Sequence, residues 1–227
     1  MKKVGISLLA MFLIFGISQK LNAQKKQFTG KVIYRISFDM ADIPPEASGM
    51  MPTTMAMYIG NNKVKTEIIT VMGNQSTILD LNDKTHTTLM DIMGEKLAIK
   101  DTYESLMEEL KNTPEYVIEA TDETKEIAGH PCKKVLLKKV KEGEEVVDGE
   151  LWLTTNLNLH PNFYFNQPSY KDLKGLMMEY EMDAGNNMKM KLTAVEVTGQ
   201  KIKDADFEIP EDYEVITRQE LSKKFGF

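Results

Sequence analysis

The amino-acid sequence predicts a mainly β protein built from antiparallel strands. Apolar and polar residues alternate with period two through most of the chain after residue 27, short Gly, Asn and Asp turn signals interrupt the alternation, and only two segments carry helical spacing. With 227 residues, 42% hydrophobic and 27% charged, 8 prolines and 14 glycines, the composition is that of a globular protein. It excludes collagen, low-complexity disorder and a disulfide scaffold, and it is long enough for one domain with a substantial core.

The first predicted strand spans 28–38, where Val32, Tyr34, Ile36 and Phe38 share one face and Lys31, Arg35 and Ser37 the other. A strand at 54–59 turns through Gly60, Asn61 and Asn62 into one at 63–71, which turns through Gly73 and Asn74 into one at 76–81. Asn82 and Asp83 open a fifth at 84–92, and hairpins in this succession make a meander. The loop at 39–52, with three prolines and three methionines, is the only long irregular stretch inside it. Loops of that kind are commonly functional, which raises the question of a lid.

Helix signals follow. Asp101 and Glu104 are spaced as a capping box, Tyr103, Leu106, Met107 and Leu110 lie on one helical face, and Pro114 stops the run. Thr217 and Glu220 repeat the capping arrangement near the C-terminus, with Leu221 and Phe225 available for docking. Between the helices, strands are predicted at 116–127, 132–140, 146–155 (with Trp152), 176–182 and 188–197. No linker or internal repeat divides residues 24–227, so one domain is predicted.

Residues 1–23 are set apart as a secretory signal peptide. Lys2 and Lys3 precede an uncharged apolar run at 4–17, and Leu21, Asn22 and Ala23 offer a small-residue cleavage site before Gln24. That run is shorter than the ~20 residues of a spanning helix, so no transmembrane span is expected after cleavage. Cleavage removes Lys2, Lys3 and Lys20 and no acid, taking the net charge from −6 to −6 − 3 = −9. An acidic exported chain lacks the dense basic field that phosphate backbones require, which excludes nucleic acid as the expected partner. The nearest basic cluster, Lys133, Lys134, Lys138 and Lys139, flanks Val135 to Leu137 and reads as the solvated edges of a strand. Cys132 has no second cysteine to pair with and reads as a small buried hydrophobe.

The opening strand Phe28-Thr29-Gly30-Lys31-Val32-Ile33-Tyr34, the Met-rich second strand, the Gly129-His130-Pro131-Cys132 turn and the Asp206-Phe207-Glu208-Ile209-Pro210-Glu211-Asp212-Tyr213 close resemble a group of secreted bacterial proteins classed as a domain of unknown function. That group is similar to the LolA and LolB type lipoprotein carriers and sorting factors of the Gram-negative envelope. The resemblance implies a curved antiparallel sheet forming an incomplete (half) β-barrel, placed in the periplasm or secreted. Its concave side would be apolar, partly covered by helices, and able to hold a lipid or acyl chain. The chain departs from the carriers in having only residues 24–27 between leader and first strand, where they have a long helix.

The residues themselves point the same way. A sheet with one apolar face must bury it, one good helix is available to do so, and a strongly curved sheet with few helices leaves a hollow. Fourteen of the 16 methionines lie beyond the leader, and Met55 with Met57, Met178 with Met182, and Met188 with Met190 share strand faces. Unbranched, polarisable thioethers suit surfaces that accept varied apolar shapes. The expected ligand cavity is lined by Tyr34, Phe38, Met55, Met57, Met178, Tyr180, Met188 and Met190. Two other readings of the methionines stand beside this one. They could fill a solid core in an envelope interaction module without a ligand, or bind cuprous copper, although His86, His130 and His160 stand apart from the Met pairs and read as surface or turn residues. No zinc helix, nucleophile elbow, phosphate-binding glycine loop or Cys/His pairing is present, so a non-catalytic binding protein with no cofactor is expected, its partners an apolar ligand and an envelope protein.

Overall fold

The structure, a computed structural model, describes residues 26–38, 49–70, 73–92, 94–141, 143–184 and 188–225. The leader at 1–23, most of the loop at 39–52 and with it the lid question, and the turn at 185–187 lie outside the described residues. In chain order the elements are β1 (Gly30–Phe38), β2 (Thr54–Ile59), β3 (Lys63–Thr70), β4 (Gly73–Asp80), β5 (Thr85–Ile92), β6 (Glu95–Asp101), α1 (Tyr103–Leu110), β7 (Val117–Ile127), β8 (His130–Lys141), β9 (Glu144–Thr154), β10 (Leu176–Asp183), β11 (Lys189–Gly199), β12 (Glu214–Ile216) and α2 (Arg218–Phe225). All twelve strands join one sheet in the order β12-β6-β5-β4-β3-β2-β1-β11-β10-β9-β8-β7. Two meanders, β1 to β6 and β7 to β11, are joined side by side through the antiparallel pairing of β1 with β11. Among the described strands, only β12 against β6 is parallel. The end strands β12 and β7 do not pair with each other, so the curved sheet stays open in a half-barrel form.

Register explains which residues face inward. Across β2 to β5 the partners Ile59, Val64, Leu79 and His86 line up, and beside them run Met57, Thr66, Thr77 and Thr88. Across the join Tyr34 on β1 pairs with Ala194 on β11, and on the second meander Leu192 pairs with Tyr180 and Tyr180 with Leu151. Val32, Tyr34, Ile59, Val64, Leu151 and Leu192 are each at most 2% exposed and belong to one apolar cluster. Side chains from both meanders can meet in one cluster only if that face is the inside of the curl.

The outer face carries charge over most of its area. Lys134 pairs with Glu150 at 2.8 Å and Lys138 with Glu119, whereas Lys139, two residues past the inward Leu137, lies on the inner side and pairs with Asp148 at 2.6 Å beside Tyr116 and Tyr170. Lys125 and Lys191 both reach Glu179, and Lys125 also lies 4.2 Å above the Trp152 ring. Behind β4 to β6 the outer face is instead apolar. There Ile78, Leu89 and Ala98 are covered by Ile202 and Phe207, with Ile209 and Tyr213 alongside. The chain therefore crosses the outside of the sheet after β11 and returns at its edge as β12.

Two elements depart from expectation. β6 was not anticipated because Leu97, Ala98 and Ile99 are buried in succession. Leu97 and Ile99 pack with Ile216 on one face and Ala98 on the other, so alternation disappears where both faces are covered. The N-cap of α1 is Thr102, whose hydroxyl accepts from the Ser105 N–H at 3.3 Å. Asp101 is instead the buried last residue of β6, 3% exposed, and is held by Arg218.

Candidate functional site

The inner face is not completely filled. A cavity of about 240 Å³ lies between β1 to β5 and β10 to β11, beneath the connector 155–175 that joins β9 to β10. Its walls include Tyr34, Met55, Met57, Ile68, Tyr180 and Met190, with Met177 and Met182 beside them. Among the described residues, no Asp, Glu, Lys or Arg borders it.

The connector covers the cavity through aromatic residues. Phe163 and Tyr164 are buried and meet edge to face at 5.0 Å between ring centroids. The Tyr164 hydroxyl donates to the Gly175 carbonyl at 2.8 Å and accepts from the Met177 N–H at 3.2 Å, and the Tyr34 hydroxyl donates to the Met177 carbonyl at 2.9 Å. Two phenols thereby satisfy the backbone at the start of β10, where the register with β9 shifts between Met177 and Glu179. Gly175, φ +140°, sits so close to β9 that a Cβ would lie 2.3 Å from the Thr154 carbonyl oxygen, which requires glycine at the hinge between connector and strand.

Polar groups stand on the opposite wall. His86, from β5, has its Nδ1 3.5 Å from Asp101 Oδ2, without hydrogen-bonding geometry. Both Asp101 oxygens are taken by Arg218, Nε to Oδ1 at 3.2 Å and Nη2 to Oδ2 at 2.7 Å. Burial is the largest influence on His86 and lowers its pKa, outweighing the attraction of Asp101 for the proton. Thr66 and Thr77 from β3 and β4 border the cavity with His86, and Asn166 and Gln167 border it from the connector.

Of the eight residues predicted to converge, Tyr34, Met55, Met57, Tyr180 and Met190 border the cavity. Met178 is fully buried in the same cluster without bordering it, because the register shift beside it turns Met177 to the cavity. Phe38 packs on the cluster from the end of β1, and Met188 precedes β11, its carbonyl accepting from the N–H of Ala184, just past β10. Sequence reasoning missed the connector residues and His86. His86 is neither surface nor turn: it shares the cavity with Met55, Met57, Met182 and Met190, from which it stands apart in sequence. The Phe163-Tyr164-Phe165 triplet was the available signal for the connector, since three consecutive aromatics in an irregular segment need a surface to cover.

Other features carry less chemistry. A hollow of about 900 Å³ beside the start of β1 is open and bordered by the charged Lys26, Lys201 and Asp204 together with Phe28, Leu157 and Ile202. Cys132 is 1% exposed, and burial raises its thiol pKa, leaving it inert. Among the described residues, no three His, Cys, Asp or Glu side chains gather as metal ligands, and no helix is long and apolar enough to cross a membrane.

No model of a known protein family matches the chain, and no curated protein matches it in sequence. Among solved structures it is similar to an uncharacterized conserved protein from Thermus thermophilus, with 9% identity and a TM-score of 0.46 over 83% of this chain and 91% of that one. It is also similar to the Mycobacterium tuberculosis lipoprotein LppX, with 12% identity and a TM-score of 0.40 over 81% and 92% of the two chains. A third is a LolA superfamily protein from Nitrosomonas europaea, with 9% identity and a TM-score of 0.33 over 81% and 91%.

Proposed function

We propose that this chain is an exported, non-catalytic binding protein or carrier that holds a lipid, acyl chain or other apolar ligand on the inner face of its half-barrel. The observation that carries the reading is the uncharged, methionine-walled cavity of about 240 Å³ beneath the aromatic connector. Ligand pockets commonly measure ~300 to 1,000 Å³, so the space suits a small ligand or one stretch of acyl chain. Flexible Met55, Met57, Met182 and Met190 can widen it by changing rotamer. Export rests on the leader, and the mature protein is expected to begin at Gln24; N-terminal sequencing that finds Met1 intact would overturn the assignment.

Native mass spectrometry of protein purified without detergent tests the carrier reading, with co-purifying lipid as the expected result. Met57→Lys sharpens it. Met57 is half-buried at the cavity wall, so a lysine there can keep its ammonium hydrated while excluding an apolar ligand. Lost uptake of a fluorescent acyl probe with a near-normal melting temperature is expected. Collapse of the fold would place Met57 in a solid core, and protein that is repeatedly empty would favour an envelope interaction module.

A further inference from the structure

Two buried side-chain polar atoms have no hydrogen-bond partner among the described residues: His86 Nδ1 and Asn166 Oδ1. Both residues border the cavity, one from β5 and the other from the connector. Buried polar atoms in folded proteins are ordinarily satisfied by protein, water or ligand; His86 Nδ1 lies 3.5 Å from Asp101 Oδ2, so Asn166 Oδ1, on the same hollow as the His86 ring, marks where a polar group of an occupant belongs.

Their chemistry selects that group. Asn166 Oδ1 can only accept a hydrogen bond, so the occupant must donate. A neutral imidazole offers one donor and one acceptor nitrogen, and burial keeps His86 toward its neutral form. A carboxylate or phosphate diester accepts only, and no lysine or arginine borders the cavity to balance its charge. An ammonium donates but would lie unpaired, since no acid borders the cavity and both Asp101 oxygens are engaged by Arg218. A hydroxyl both donates and accepts and carries no charge.

We propose that the cavity selects an uncharged amphipathic ligand with a hydroxyl head, the hydroxyl bound at His86 and Asn166 and the alkyl part against Met55, Met57 and Met190. The proposal rests on the carrier reading and narrows it from any apolar ligand to an alcohol-headed one.

Competition against a bound neutral naphthylamine probe tests it, using the delipidated full chain with decanol, decanoate and decane as competitors. Decanol is expected to bind about fivefold or more tighter than either of the others, the scale of one hydrogen bond. Asn166→Leu combined with His86→Phe is expected to abolish the preference for decanol over decane; Asn166→Ser alone serves if the double variant misfolds, with a smaller loss of the decanol preference. Decanoate or decane matching decanol on the unmodified protein overturns the hydroxyl assignment while leaving the carrier reading intact. Failure of all three to compete, with no probe uptake, overturns both.

Discussion

Tyr34, Tyr164 and Tyr180 are kept from ionising by burial, which raises the pKa of each phenol well above its ordinary value, with nearby phenols adding to the effect. They serve as hydrogen-bonding hydrophobes. His86 responds to burial in the opposite direction because its charged form is the protonated one. Around it, Asp101 at the end of β6 and Glu109 on α1 draw a proton in, Arg218 on α2 opposes, and desolvation outweighs them all. With the folded-state value below the ordinary 6.5, stability linked to the neutral ring is complete above about pH 6.5 and is lost as pH falls through the lower folded value. The melting temperature is therefore expected to fall more steeply between about pH 7.5 and pH 5 in the unmodified protein than in His86→Gln. Equal slopes in differential scanning fluorimetry would show that His86 does not control this window.

At the scale of elements, the join between β6 and α2 depends on a reciprocal cap and one guanidinium. The Thr217 N–H donates to Glu220 Oε2 at 2.7 Å and the Glu220 N–H to Thr217 Oγ1 at 3.2 Å, the capping box legible in the sequence. The cap starts α2 where Leu221 reaches Leu97, Ile99 and Ile216, and it places Arg218 against buried Asp101 and against Glu109. Arg218→Met would leave the Asp101 carboxylate buried beside His86 without its cation. The expected destabilisation is about 2 kcal/mol, below the ~3–5 kcal/mol of a fully buried pair because the Arg218 side chain is 46% exposed. Urea denaturation measures it, and Asp101→Asn added to Arg218→Met should recover part of the loss. No recovery would place the cost in lost packing instead. The capping spacing at Asp101 and Glu104 was misleading by one residue, because a carboxylate that could have capped α1 is drawn inward by an arginine 117 positions later.

Across the whole molecule, local pattern and distant contact divide the determination of structure between them. Period-two alternation determined by itself that the chain is antiparallel β, where most hairpins turn, and which side of β1 and β2 is apolar, since successive side chains must point to opposite faces. Capping signals likewise announced α2 from a few neighbouring residues. Tertiary structure alone decided that β1 pairs with β11, that residues 200–213 cover the outer face, and that β6 is buried on both sides. It also decided the outline of the cavity. The register shift beside Met178 and the placement of Asn166 against a wall that includes His86 depend on contacts between segments far apart in sequence, where no local period exists to be read.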